Sequence, residues 1–260
     1  MSVEEMSQGK DKKGTNLTAA NGLRTRGRGR TSKPKQELER IIFIGRTFEE
    51  YMQMFDLQHE DLEGKSILDC PSGACSFTAV GGQQGLDIMS CDIAYDHAPD
   101  DLETKGLAGI AHALDTMEDA KDLFLWDFYG DVQGLGKHRY SALEHCIRDM
   151  KNRPERYVPA VLPSLPFQDK RFDLIVSAHF LFMYGDRLDL DFHRKTVNEL
   201  IRVASHEVRI FPLVDLTGTR CEYVDMLKSE LSAAGLQVEE RVVPYEFLRH
   251  ANSMLVIRKR

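Results

Sequence analysis

The sequence predicts an α/β fold: a doubly wound, mostly parallel sheet with an antiparallel hairpin at its carboxyl-terminal edge. Three observations predict it. From residue 66 onward, apolar stretches of strand length alternate with amphipathic stretches of helix length, the pattern of repeated strand–helix–strand units. A tight turn, Pro71-Ser72-Gly73, follows the first strand, and an acid, Asp92, closes the second. The last two strands have no helix between them, so they pair as antiparallel neighbours.

Each element has its own signal. Leu38, Ile41, Ile42 and then Phe48, Tyr51, Met52 and Phe55 recur at helical spacing around Gly45, predicting one or two amphipathic helices before the main fold. A strand over 66–70 leads through the glycine turn into a short helix over 77–81. A second strand covers 86–91, and a helix lies between 100 and 114. Residues 117–153 are rich in aromatic and charged side chains with glycines at 130–136; the stretch is longer than an ordinary connection and is read as an inserted helical cap. Strands follow at 157–161 and 172–178, separated by a loop through Pro163 and Pro166. A helix over 190–203, a strand over 208–214 and a helix over 222–234 stopped by Gly235 come next. Strands over 236–245 and 253–258 close the chain, which gives seven in all.

Charge divides the 260 residues unevenly. The first 35 hold nine basic and three acidic residues, a net of +6, so the remainder carries −13 of the total of −7. This leader has almost nothing apolar to bury and is expected to be disordered, with 36–260 as the folded domain. Its RTRGRGR run over 24–30 suits a phosphate backbone by charge alone, whereas the acidic body disfavours a broad nucleic-acid surface. The longest apolar stretch, 174–184, is interrupted by Ser177 and His179 and is far short of the roughly 20 residues of a membrane span. No apolar signal core follows Met1, and the five cysteines form no CxxC pair. A cytoplasmic protein without a disulfide framework or zinc knuckle is therefore expected.

The chemistry-bearing candidates sit at the ends of the strands. In ILDCPSGACSF, over 67–77, Gly73 lets the backbone approach a ligand closely. Asp92 stands 19 positions later, near the roughly 20-residue offset at which an acid meets ribose hydroxyls. The glycines of a pyrophosphate cradle are missing, which argues against a dinucleotide dehydrogenase. His179 follows the fourth strand, at the mouth of the expected crevice, where an imidazole can take a proton near neutral pH. In the cap, Tyr129 and Arg139 are candidates for substrate contact, as is Tyr184 beyond His179. Asp191, His193 and Glu199 do not make a metal site, because an acid and a histidine two apart do not share a helical face.

Together, LDCPSGACSF, the acid in SCDIAYD, LPSLPFQDKRFDLIVSAHFLFMY and the closing strand pair resemble the class I S-adenosylmethionine-dependent methyltransferases from about Arg46 to Arg260. The runs GRTFEEYMQMFDL, FHRKTVNELIRVASHEVRIFPLV and YEFLRHANSMLVIR are similar to a bacterial and archaeal branch of them. The resemblance implies a Rossmann-like sheet of seven strands with an antiparallel last strand, and S-adenosylmethionine as cofactor. It places Asp69 and Gly73 by the methionine moiety, Asp92 on both ribose hydroxyls, backbone groups near Val161 and Leu162 by the adenine, and Cys70 and Ser177 elsewhere around the cofactor. Cys75 replaces a usual glycine, and Val161 stands where many members have an acid. The motif that accompanies methylation of base amines is absent. The implied activity is methyl transfer to an O, N or S atom of a small molecule or peptide; the alternative is an RNA-binding protein with a degenerate methyltransferase fold.

Overall fold

The computed structural model describes residues 42–259; the basic leader, with its nucleic-acid reading, and the helical spacing at Leu38 and Ile41 lie outside the described residues. Seven strands form one sheet: β1 (Ser66–Asp69), β2 (Asp87–Asp92), β3 (Tyr157–Pro159), β4 (Phe172–Ala178), β5 (Ala204–Phe211), β6 (Gln237–Val242) and β7 (Ser253–Arg258). Their order is β3-β2-β1-β4-β5-β7-β6. The first five run parallel, and β7 is antiparallel to both β5 and β6. This is the doubly wound, seven-stranded arrangement that the resemblance implied. The final hairpin refines the expectation in one respect: β7 inserts beside β5, leaving β6 at the edge. Composition explains the choice. Met254, Leu255, Val256 and Ile257 are buried on both faces, whereas β6 presents Glu239, Glu240 and Arg241 to solvent, charges that blunt an edge strand.

Successive strand residues serve opposite faces. Ile67, Leu174, Val176, Phe211, Met254 and Val256 pack with helix α1 (Phe48–Met54) and helix α2 (Phe77–Gln83). Leu68, Ile175, Val208, Ile210, Leu255 and Ile257 pack with helix α5 (Leu190–Val203) and helix α6 (Tyr223–Ala233). Between β2 and β3 the chain makes two long helices, α3 (Pro99–Asp119) and α4 (Val132–Asn152).

Within the cap expected over 117–153, the glycine break does not interrupt the helix. Helix α3 continues past 114, and α4 is one uninterrupted helix that starts at the N-cap Asp131, whose side chain accepts the Gly134 N–H. Leu143, Cys146, Ile147 and Met150 of α4 pack with Tyr95, Leu102, Ile110 and Tyr157, so the helix serves as the crossover layer of a βαβ unit. The connection between α3 and α4 is what reaches outward: the Leu125 N–H donates to the Phe247 carbonyl at 2.7 Å, and the Phe124 and Phe247 rings stack at 4.6 Å.

Candidate active site

A cavity of about 540 Å³ opens at the carboxyl ends of β1 to β4, the place where open α/β sheets bind ligands. Its floor is the turn after β1. Gly73 takes a φ of +58°, a left-handed conformation that glycine adopts without strain. Its N–H donates to Asp92 Oδ2 at 2.9 Å, and the Ala94 N–H donates to Asp92 Oδ1 at 2.8 Å. One carboxylate thus caps the turn after β2 and pins the glycine loop beside it. Asp92 is 9% exposed and lines the cavity. Burial raises its pKa, partly offset by the two N–H bonds. A carboxylate has about four lone-pair sites, so each oxygen keeps acceptor capacity toward the cavity.

The expected site residues separate into two groups. Cys70, Gly73, Asp92, Val161, Leu162, His179, Arg139 and Tyr184 all line the cavity. Asp69, Ser177 and Tyr129 do not. Asp69 shares the strand face of Ile67 and points into the layer beneath the loop, fully buried; its oxygens accept from Tyr51 Oη at 3.0 Å and Ser72 Oγ at 2.7 Å. Ser177 lies inside β4, one residue short of the lining, which begins with Ala178. Tyr129 is buried behind Arg139. These three lie behind the residues that line the cavity.

Asp69 carries a testable consequence. Burial, helped by the charge of Asp92 and opposed by the bonds from Ser72 and Tyr51, pushes its pKa up to about 7. A carboxyl whose pKa is raised on folding favours the folded state most below its ordinary value of 3.8, and this contribution fades as pH rises through about 7. The melting temperature of the wild type is expected to fall between these pH values relative to Asp69→Asn, which cannot titrate. Parallel melting profiles of the two proteins would contradict it.

The sequence reading missed the segment at the cavity's other wall. Ile42, Ile44 and Arg46 face the cavity in alternation, while Phe43 is buried in the α3–α4 layer. Gly45 lies so close to the loop that an added Cβ would sit 1.9 Å from the Ala74 carbonyl oxygen. The Arg46 N–H donates to Cys75 Sγ at 3.1 Å and its carbonyl accepts the Ser76 N–H at 2.9 Å, closing the segment over the glycine turn.

Glu50 was missed as well. It is fully buried, and Arg139 Nη1 lies 2.9 Å from both of its oxygens. It also accepts the Thr47 N–H at 2.8 Å and the Tyr129 hydroxyl, with Tyr245 Oη at 3.3 Å. Burial drives its pKa up, but Arg139 and Arg46, with the hydrogen bonds, more than offset this and hold it below the usual carboxylate range. A signal existed: Thr47-x-x-Glu50 is a capping-box pattern, and both reciprocal bonds form at the start of α1.

His179 closes β4 in a left-handed conformation, φ +51°, uncommon for a residue other than glycine. Its Nε2 is 3.2 Å from Met54 Sδ and its Nδ1 is 3.2 Å from Met183 Sδ. Burial, then the charges of Arg46 and Arg139, push its pKa well below 6.5, so the ring is neutral at neutral pH. His193, by contrast, is structural: its ring nitrogens lie 2.8 and 2.9 Å from the carbonyl oxygens of Asp189 and Leu181. No helix among the described residues is long and apolar enough to cross a membrane.

No family model matches the chain. Among solved structures it is similar to the magnesium protoporphyrin IX methyltransferase of Synechocystis PCC 6803 with bound S-adenosylhomocysteine, at 11% identity and a TM-score of 0.46, over 77% of this chain and 76% of that one. It is also similar to an S-adenosylmethionine-dependent methyltransferase from Aquifex aeolicus, at 16% identity and a TM-score of 0.39, over 80% and 90% of the two chains. In sequence, the uncharacterised protein MJ0045 of Methanocaldococcus jannaschii is 34% identical over 227 residues, 85% of this chain and 98% of that one. The chain therefore belongs to the family of that archaeal protein, and its sheet has the seven-stranded order with an antiparallel closing pair that the resemblance implied.

Proposed function

We propose that the chain is an S-adenosylmethionine-dependent methyltransferase acting on an O, N or S atom of a small molecule or peptide. The observation that carries this reading is the pairing of Gly73 and Asp92 on one cavity at the carboxyl ends of β1 and β2. The residues present fit the cofactor. Asp92 keeps lone pairs for two ribose hydroxyls, Ile93, Val161 and Leu162 offer an apolar seat for a purine, and Gly73, with no side chain, leaves room for the amino-acid end.

When bound, the cofactor supplies a methyl group made electrophilic by its sulfonium. What remains for the protein is alignment and exclusion of water. Ile42, Ile44, α3 and Phe247 wall the cavity with apolar side chains. His179 is the titratable ring at its inner wall, and its neutral state is the one that can accept a proton from an acceptor. A base whose pKa is held so low contributes modestly, so alignment supplies most of the acceleration.

S-adenosylhomocysteine at a hundredfold excess over its Kd should add about 2.7 kcal/mol of stability. For a domain of this size that raises the melting temperature by roughly 5–10 °C. NAD should have no effect, because the cradle glycines are absent. A thermal shift with NAD and none with S-adenosylhomocysteine would overturn the reading.

A further inference from the structure

Two thiols meet on the wall of the cavity. Cys70 and Cys91 directly follow Asp69 and Ser90, which are paired across β1 and β2. Neighbouring strands stand about 4.7–4.9 Å apart, inside the roughly 4.4–6.8 Å between Cα atoms that a disulfide spans. Both side chains leave the sheet on the face of Leu68, and both line the cavity. The Cys91 thiol is within hydrogen-bond reach of the Cys70 thiol. No other two of the five cysteines share a face and the cavity: Cys75 packs on the opposite face, Cys146 lies in the α3–α4 layer, and Cys221 does not line the cavity. Alignment of donor and acceptor makes no use of either thiol.

The pair sits at the root of the Gly73–Asp92 clamp. Asp92 follows Cys91 in the chain, Gly73 lies on the turn that Cys70 opens, and the Ser72 N–H donates to the Cys91 carbonyl at 3.1 Å. Drawing the two sulfurs from hydrogen-bond contact into a covalent bond moves both strand ends, and with them the Gly73–Asp92 hydrogen bond on the cavity floor. We propose that Cys70 and Cys91 are an oxidisable dithiol that closes to a disulfide and lowers the affinity of the cavity for its cofactor. The effect on the cofactor rests on the methyltransferase reading above; the disulfide itself does not. With hydrogen peroxide as oxidant, two S–H bonds and the O–O bond break, and one S–S bond and two waters form. The sulfurs are oxidised and the peroxide oxygens reduced, with both thiol protons leaving in the water. The neighbouring Cys91 thiol and then burial keep Cys70 protonated, a poor nucleophile, so the pair answers to added peroxide and not to dissolved oxygen.

The test treats the full chain with hydrogen peroxide, removes the excess and blocks the remaining thiols. Cleavage before aspartate separates Cys91, flanked by Asp87 and Asp92, from Cys70, and fragmentation in the mass spectrometer tells Cys70 from Cys75. The main linkage should join Cys70 to Cys91. By calorimetry, the oxidised protein should bind S-adenosylhomocysteine about tenfold or more weakly than the reduced protein, the value of one charge-assisted hydrogen bond lost, and dithiothreitol should restore the affinity. Cys91→Ala, treated and compared with its own untreated sample, should change by less than about twofold. The mapping on the wild type stands even if the variant misfolds. No disulfide, or one that runs mainly through another cysteine, overturns the inference and leaves the methyltransferase reading untouched. A Cys70–Cys91 linkage with unchanged affinity also overturns it. Failure of S-adenosylhomocysteine to bind the reduced protein overturns the methyltransferase reading and the effect on the cofactor with it, while the linkage map still decides the dithiol.

Discussion

Asp92→Ala is expected to weaken S-adenosylhomocysteine binding by about ten- to a hundredfold, the value of one to two charge-assisted hydrogen bonds. The side chain has two duties. It faces the cavity, and it accepts the N–H groups of Gly73 and Ala94, so its removal also frees the glycine turn. Asp92→Ala should therefore cost roughly 1–3 kcal/mol of stability through two backbone donors left without their acceptor. Asp87, exposed at the other end of the same strand, is the control. Asp87→Ala should leave both affinity and melting temperature near wild type. Wild-type affinity in Asp92→Ala, measured on folded protein, would mean that another group holds the ribose.

Glu50→Gln should have the largest effect on the fold itself. The substitution keeps the shape of the side chain but leaves Arg139 buried beside a neutral group. Breaking a buried pair in this way costs about 3–5 kcal/mol, a large share of the roughly 5–15 kcal/mol that holds a domain together. The effect has a pH signature with a definite sign. Because the carboxyl is held below its ordinary value of 4.5, its contribution is present above that pH and is lost as pH falls through the lower, folded-state value. The acid side of the wild-type stability profile should therefore be steeper than that of the variant. Asp69 acts in the opposite direction at higher pH, so the two carboxyls are separable in one set of urea titrations. A Glu50→Gln protein as stable as wild type at neutral pH would contradict the reading of this pair.

The elements that were legible in the sequence are those whose signals are local. Strand β4 and strand β7 occupy the residues expected of them, since near-continuous apolar runs admit few registers for a strand buried on both faces. Helix α5 also matches, with Asp189 accepting the Phe192 N–H as its cap. Gly73 and Asp92 were legible because a turn glycine and a strand-end acid have fixed places in a doubly wound sheet. Asp69 alternates away from the cavity, and only the packing of α1 and α2 shows which face of β1 that is. The pairing of Glu50 with Arg139 spans 89 residues and that of Tyr245 with Glu50 spans 195, distances at which no spacing rule operates. Helix α4 was read within a helical cap over 117–153 because its aromatic approach and glycine-rich start resemble a loop insertion. The cavity-facing alternation of Ile42, Ile44 and Arg46 was masked by helical spacing read across the same residues.

On the proposed function, the cavity lined by Gly73 and Asp92 takes S-adenosylmethionine. A crystal structure of the full chain with S-adenosylhomocysteine tests it most directly. The ribose hydroxyls are expected within hydrogen-bond distance of Asp92 and the adenine between Ile93 and Leu162. Crystals grown at saturating ligand that show this cavity empty, or the ligand seated elsewhere on the chain, would contradict it.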